Sequence, residues 1–267
     1  MSDFPSGLGN LDSLHLTHPP QRVVSLVPSL TETLFAFGLG ERLVGVTDYC
    51  VQPPEAARLP KMGGPKTPHL THIRAALPEL ILASQEENRQ DDVEALQADG
   101  LRVWVTFPGT VAETFELLWA IVRVFNVPQM GQSLDMLERT YEWANLAAEG
   151  TPSARVFCPI WKDAHGWMTI GGDTYTHDLL RVCGGENIFG DLTRYPRVTT
   201  EQVLERAPEV IVLPSEPYAF AEADGAPFAS TARLLPLDGS LLTWPGIRVA
   251  RALAELPALL APPPADE

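Results

Sequence analysis

Ile73-Arg-Ala-Ala-Leu-Pro-Glu-Leu-Ile-Leu82 and Val203-Leu-Glu-Arg-Ala-Pro-Glu-Val-Ile-Val212 carry one pattern twice, at an offset of 130 (203 against 73). Each reads as a short helix that stops before a proline and feeds a buried strand, because the residue ahead of proline is driven out of the helical region. A second pair keeps the order. Arg22-Val-Val-Ser-Leu26 and Arg155-Val-Phe-Cys-Pro-Ile160 both look like a buried first strand, at an offset of 133 (155 against 22). A helix that stops at glycine follows each: Thr31–Phe37 before Gly38, with Ser29 or Thr31 as N-cap, and Thr176–Cys183 before Gly184-Gly185. Two matches in one order imply an α/β chain of two similarly built lobes.

Between the echoes, residues 111–150 alternate polar and apolar positions at helical spacing with one break at Val127-Pro128. The second of the two implied helices, about Gln129–Glu149, carries Leu134, Leu137, Tyr141, Ala144 and Ala148 on one stripe. A continuous helix is a stiff connection where Gly and Ser would make a hinge. The expected division is an arm over 1–20, a lobe over 21–127, a linking helix over 128–150, a second lobe over 151–260 and a disordered tail over 261–267.

The 267 residues are 45% apolar and include 19 Lys+Arg against 34 Asp+Glu, a net charge of −15. That is room for two cores, and a charge that repels phosphate backbones and anionic lipids, so no nucleic-acid partner is expected. The longest apolar run, Leu117–Phe125, is interrupted by Arg123, so no membrane span is expected. Met1–Gln21 has neither a basic start nor an apolar segment, which reads as no export signal and leaves a cytoplasmic location open. Cys50, Cys158 and Cys183 are odd in number and scattered, and read as reduced, buried thiols.

Neither phosphate-binding glycine pattern occurs, nor a nucleophile elbow, nor an H-E-x-x-H pair, so no enzyme is expected and no catalytic residue is assigned. His69 and His72, with Cys50 upstream, are the remaining metal candidate, against the plainer reading of exposed histidines at a helix entry. What accumulates instead are aromatic and polar residues after strands, where open parallel sheets place their ligand crevices. Tyr49, Cys50, Lys66, Glu87 and Asn88 stand in the first lobe, and Trp161, Trp167, Met168, Tyr195 and Trp244 in the second. Each aromatic alone fits a core as well. Together they fit a cleft for a large, flat, partly apolar ligand.

Arg22–Leu39, Leu43–Cys50 with Pro53-Pro-Glu-Ala56, Pro78-Glu-Leu-Ile-Leu82, and Val182-Cys-Gly-Gly-Glu-Asn-Ile-Phe189 with Glu201-Gln-Val-Leu204 resemble the helical-backbone substrate-binding proteins of ABC importers. The likeness is strongest to their vitamin B12 (cobalamin) binding members and runs from about residue 20 to 258. It implies two Rossmann-like lobes with parallel sheets joined by one long helix, a ligand cleft between them, a periplasmic or surface location, and binding without catalysis. It also implies that Tyr49 matches a cobalamin-contacting tyrosine, Met168 stands for a contacting Phe, Tyr195 for a Trp, and Asp238 for an acidic cleft residue. Pro65 and Ser84 replace two contacting tryptophans. The rim residues Lys66, Glu87 and Arg248 could meet amide or carboxylate arms. Glu201 keeps the permease-docking position of the second lobe, and Thr71 occupies that of the first. The expected ligand is a corrinoid or another large metal chelate, with haem, a ferric siderophore or a bare metal ion as alternatives and a cytoplasmic sensor or carrier as the other role. No cofactor is required, an ABC permease is the expected partner, and a monomer is the expected state.

Overall fold

The computed structural model describes residues 7–150 and 153–261. Of the tail expected to be disordered, 262–267 lie outside the described residues. The chain forms two compact units: one holds the described residues up to Pro108 with Ala112–Met136 and Pro245–Arg248, the other Gly109–Val111, Leu137–Trp244 and the chain from Val249 onward.

The first unit contains β1 (Val23–Ser25), α1 (Pro28–Ala36), β2 (Leu43–Val46), β3 (Gly63–Gly64), β4 (Thr67–Pro68), α2 (Leu70–Ala75), β5 (Leu80–Ser84), α3 (Gln90–Ala98), β6 (Val103–Thr106), most of α4 (Val111–Phe125), and the start of α5 (Gly131–Ala148). Four strands form a parallel sheet in the order β2-β1-β5-β6. Every residue of β1, β5 and β6 is buried, which is why these strands read as continuous apolar runs rather than alternating ones. The segment expected as an N-terminal arm, described from residue 7 onward, covers the outer edge of β6 over part of its length. Asn10 donates to the Val103 carbonyl and accepts from the Val105 amide, each at 2.8 Å, while the Leu8 carbonyl accepts from Trp104 Nε1. A covered edge cannot template a further strand. Gly9 makes the approach possible, at φ +59 and with no room for a Cβ against the Val105 carbonyl.

α1 departs from the expected cap: it starts at Pro28 with Val27 as N-cap and no side-chain bond. Proline at the first position is pre-set for a helix, and Thr31 Oγ1 turns back to the Val27 carbonyl.

The second unit contains β7 (Ala154–Phe157), β8 (Pro159–Asp163), β9 (Gly166–Thr169), α6 (Tyr175–Val182), β10 (Gly185–Asn187), β11 (Arg197–Val198), α7 (Thr200–Glu205), β12 (Val210–Pro214), β13 (Arg233–Leu237), α8 (Ser240–Thr243) and α9 (Val249–Leu260). Its parallel sheet runs β10-β7-β12-β13. Taken strand by strand, this is the order of the first sheet. The single strand expected over Arg155–Ile160 is two: β7 ends at Phe157, and β8 begins an antiparallel β11-β9-β8 sheet.

The sequence echo has an atomic basis. Arg22 donates through Nε to the Leu77 carbonyl and through its terminal nitrogen to that of Ala76, and its own backbone carbonyl accepts from the Glu79 amide. Arg155 does the same to Ala207, Arg206 and Glu209. In both units the arginine satisfies carbonyls at a helix end, and the residue before proline takes a left-handed turn, Leu77 at φ 47 and Ala207 at φ 45. Among the described residues no helix is long and apolar enough to cross a membrane.

Candidate functional site

Parallel sheets leave their loops at the carboxyl ends of the strands, so each unit has one edge where side chains gather. In the first unit that edge is built by the segments after β2 and β5 and by the β3–β4 hairpin. The turn after β2 is held from beneath: Lys61 Nζ donates to the carbonyls of Thr47, Cys50 and Ala56 at 3.2–3.4 Å. Cys50 Sγ lies 3.1 Å from Thr47 Oγ1 and accepts from Thr31 Oγ1 at the same distance. With its neighbours pinned, Tyr49 stands outward at 64% exposure.

Cys50 itself is fully buried. Burial pushes its thiol up, against the lowering pull of the two threonine hydrogen bonds, and the thiolate that a metal or a reactive site needs is disfavoured. His69 and His72 are exposed and face one another edge-on at 5.1 Å. Among the described residues no group of three or more His, Cys, Asp or Glu is placed to hold a metal ion. The three residues of the metal reading therefore do not come together as a ligand set.

Asn88 is a buried strut. It accepts from the Ser84 amide at 2.8 Å and donates to the carbonyls of Pro65 and Leu26, tying the hairpin, the β5 loop and the end of β1 into one surface. Lys66 Nζ donates to the Glu86 carbonyl at 2.8 Å and remains exposed, while Glu87 is half-buried.

In the second unit the antiparallel β11-β9-β8 sheet sorts the candidates by face. Successive residues of a strand point to opposite sides, and the register sets Trp161 opposite Met168 and Lys162 opposite Trp167. Trp167 and Val198, also paired, turn into the core. Trp167 is only 2% exposed, with Phe157 edge-on at 5.9 Å, Phe220 stacked at 5.9 Å and its Nε1 donating to Thr200 Oγ1. Trp167, expected to meet a ligand, is thus turned into the core by strand alternation. Trp161 and Met168 take the other face, Trp161 at 45% exposure.

Tyr218 and Phe220, absent from the sequence-based set, complete this edge. Trp161 meets Tyr218 edge-on at 5.2 Å, Tyr218 meets Phe220 at 4.6 Å, and Phe220 stacks on Trp167. A continuous file of rings therefore runs from the surface into the core, so the outer pair is held by packing. Pro214-Ser-Glu-Pro-Tyr-Ala-Phe220 follows a strand just as Tyr49 does, and the same rule would have found it.

Tyr195 is 37% exposed with the Arg194 guanidinium 5.2 Å from its ring centre. Asp238 accepts from the Ser240 amide and hydroxyl and pairs with Arg251 at 3.2 Å. Trp244 is half-buried at the end of α8. Arg248, expected at the rim, is instead 8% exposed in a two-bond pair with Glu32, at 2.8 and 2.6 Å. Glu201 is exposed in the first turn of α7, where the Thr199 hydroxyl and a backbone amide hold its carboxyl below the usual range. Thr71, 130 positions earlier, is exposed at the matching place on α2.

A family model described as periplasmic binding protein matches residues 23–227. The vitamin B12-binding protein of Photorhabdus laumondii is 32% identical over 195 residues, covering 73% of this chain and 70% of that protein. That of Pectobacterium carotovorum is 32% identical over 207 residues, covering 74% and 72%. Among solved structures, the periplasmic vitamin B12-binding protein of Vibrio cholerae matches with a TM-score of 0.77 at 25% identity, over 91% of this chain and 97% of that one. The periplasmic haem-binding protein of Roseiflexus sp. RS-1 shares the fold with a TM-score of 0.77 at 22% identity, over 90% and 97%.

Proposed function

We propose that this chain, which belongs to the periplasmic binding protein family, captures a corrinoid or a similarly flat metal chelate and hands it on unchanged, as the binding component of an ABC-type importer. The observation that carries the reading is the exposed Trp161 ring, edge-on to half-buried Tyr218 and backed through it by Phe220 and Trp167; in the first unit, taken by itself, Tyr49 is exposed as well. Rings held open to solvent cost apolar exposure unless they have a ligand to cover them. A corrin plane with amide arms supplies both a surface for stacking and partners for polar rim groups. The relatives named for vitamin B12 support this choice over haem, since the likeness to the haem-binding structure is one of fold.

Tyr49→Ala and Trp161→Ala should each weaken cyanocobalamin binding by about 1–3 kcal/mol, about 5- to 150-fold, as for loss of an aromatic anchor. Quenching of tryptophan fluorescence in Tyr49→Ala, and calorimetry for both variants, would measure it. Unchanged affinity in both would remove these rings from the site.

Glu201 is the proposed contact with a permease, an ionised carboxylate ready to meet a basic group. Because Thr71 supplies no matching charge on α2, docking should depend on Glu201 alone among this pair. Glu201→Gln should slow association with the permease more than it speeds dissociation, the usual result of losing a rim charge.

A further inference from the structure

Among the described residues, three of the exposed large apolar side chains lie on one helix, α5: Met136 at 64%, Trp143 at 73% and Leu146 at 62%. Trp143 and Leu146 stand well above the exposure of the rings at the candidate ligand site, Tyr49 excepted. At 100° per residue the three fall within an arc of about 80°, opposite the stripe headed by buried Leu134. Along one side of this face run Asp135 and Glu142, seven residues apart and both exposed, with exposed Glu149 continuing the row in the turn just after the helix. The other side carries Thr140 and Ala147, which are uncharged, and Arg139 sits within the stripe.

We infer that this face of α5 docks a basic amphipathic helix of another protein, its apolar side over Trp143 and Leu146 and its lysines or arginines along the acidic row. The charge pattern selects among occupants. A second copy packed antiparallel about a two-fold axis would set acidic row against acidic row, a repulsion added to that between two chains of charge −15. The footprint is also small: an 18-residue helix is about 27 Å long and 10 Å wide, far below the roughly 800 Å² per partner of a stable dimer. An anionic membrane is repelled by the same charge. A cationic helix gains both the apolar contact and the row of carboxylates, in a transient, salt-sensitive complex.

The probe is a labelled synthetic helical peptide with leucine on one face and lysine elsewhere, followed by fluorescence anisotropy at 0.15 M salt, with a leucine–glutamate peptide as its counterpart. The lysine peptide should bind and the glutamate peptide should not. Trp143→Ala/Leu146→Ala, which keeps all charges, should weaken binding at least tenfold, as should Asp135→Asn/Glu142→Gln/Glu149→Gln. Asp91→Asn/Asp92→Asn/Glu94→Gln on α3, which removes as many charges elsewhere, should leave it unchanged. No binding by the lysine peptide, equal weakening by the α3 variant, no effect of Trp143→Ala/Leu146→Ala, or a wild-type dimer abolished by Trp143→Ala would each overturn the inference. Circular dichroism melts confirm that the variants are folded, and the outcome is independent of any corrinoid titration.

Discussion

Replacing Arg248 with alanine should lower stability by about 3–5 kcal/mol, because it strands a largely buried carboxylate. Glu32 is 22% exposed and loses both of its short charge-assisted bonds in that variant. The Ile247 amide, which donates to Thr33 Oγ1 at 3.0 Å, holds the same segment on α1 and would be loosened with it. The expected readout is a lower urea midpoint. Removing both charges together, as Arg248→Met with Glu32→Leu, should recover most of the loss, since the penalty lies in the unpaired charge rather than in the missing pair. A single variant as stable as wild type would show that the pair is hydrated and contributes little.

Trp167→Ala should destabilise by a similar amount, about 3–5 kcal/mol for a truncated core aromatic. It empties the centre of a cluster that includes Phe157, Phe189 and Phe228. Trp161→Ala, six positions earlier on the opposite face of the same small sheet, should leave stability nearly unchanged and weaken ligand binding. The two substitutions therefore separate structure from function within one hairpin. Loss of binding in both, with equal stability, would mean that Trp167 also faces the ligand.

The duplication was legible because it rests on local chemistry. A proline that ends a helix, an arginine ahead of a strand and an apolar run recur at offsets of 130 and 133; the proline and the apolar run act locally, while each arginine reaches carbonyls more than 50 positions on and shows in the sequence only because it recurs with them. The long helix α5 was legible for the same reason, its stripe of Leu134, Leu137, Tyr141, Ala144 and Ala148 repeating at helical spacing. The site was less legible because facing is decided by pairing. Trp167 and Met168 are neighbours in sequence, and only the register of β8 against β9 sends one into the core and the other outward. Cys50 and Asn88 follow strands as ligand contacts do, yet Thr31, Thr47, Ser84, Leu26 and Pro65, up to 62 positions away, claim their polar atoms. Arg248 finds Glu32 across 216 positions, a separation no local pattern can span.

The central claim, that the exposed rings serve a flat chelate, is tested most directly by titrating the purified chain with cyanocobalamin while following tryptophan fluorescence, with haem and ferric siderophores as parallel arms. Saturable quenching by cyanocobalamin at one equivalent, weakened about 5- to 150-fold in Trp161→Ala when the same titration is followed by calorimetry, is the result expected. No saturable response to any of the three ligands would contradict the account.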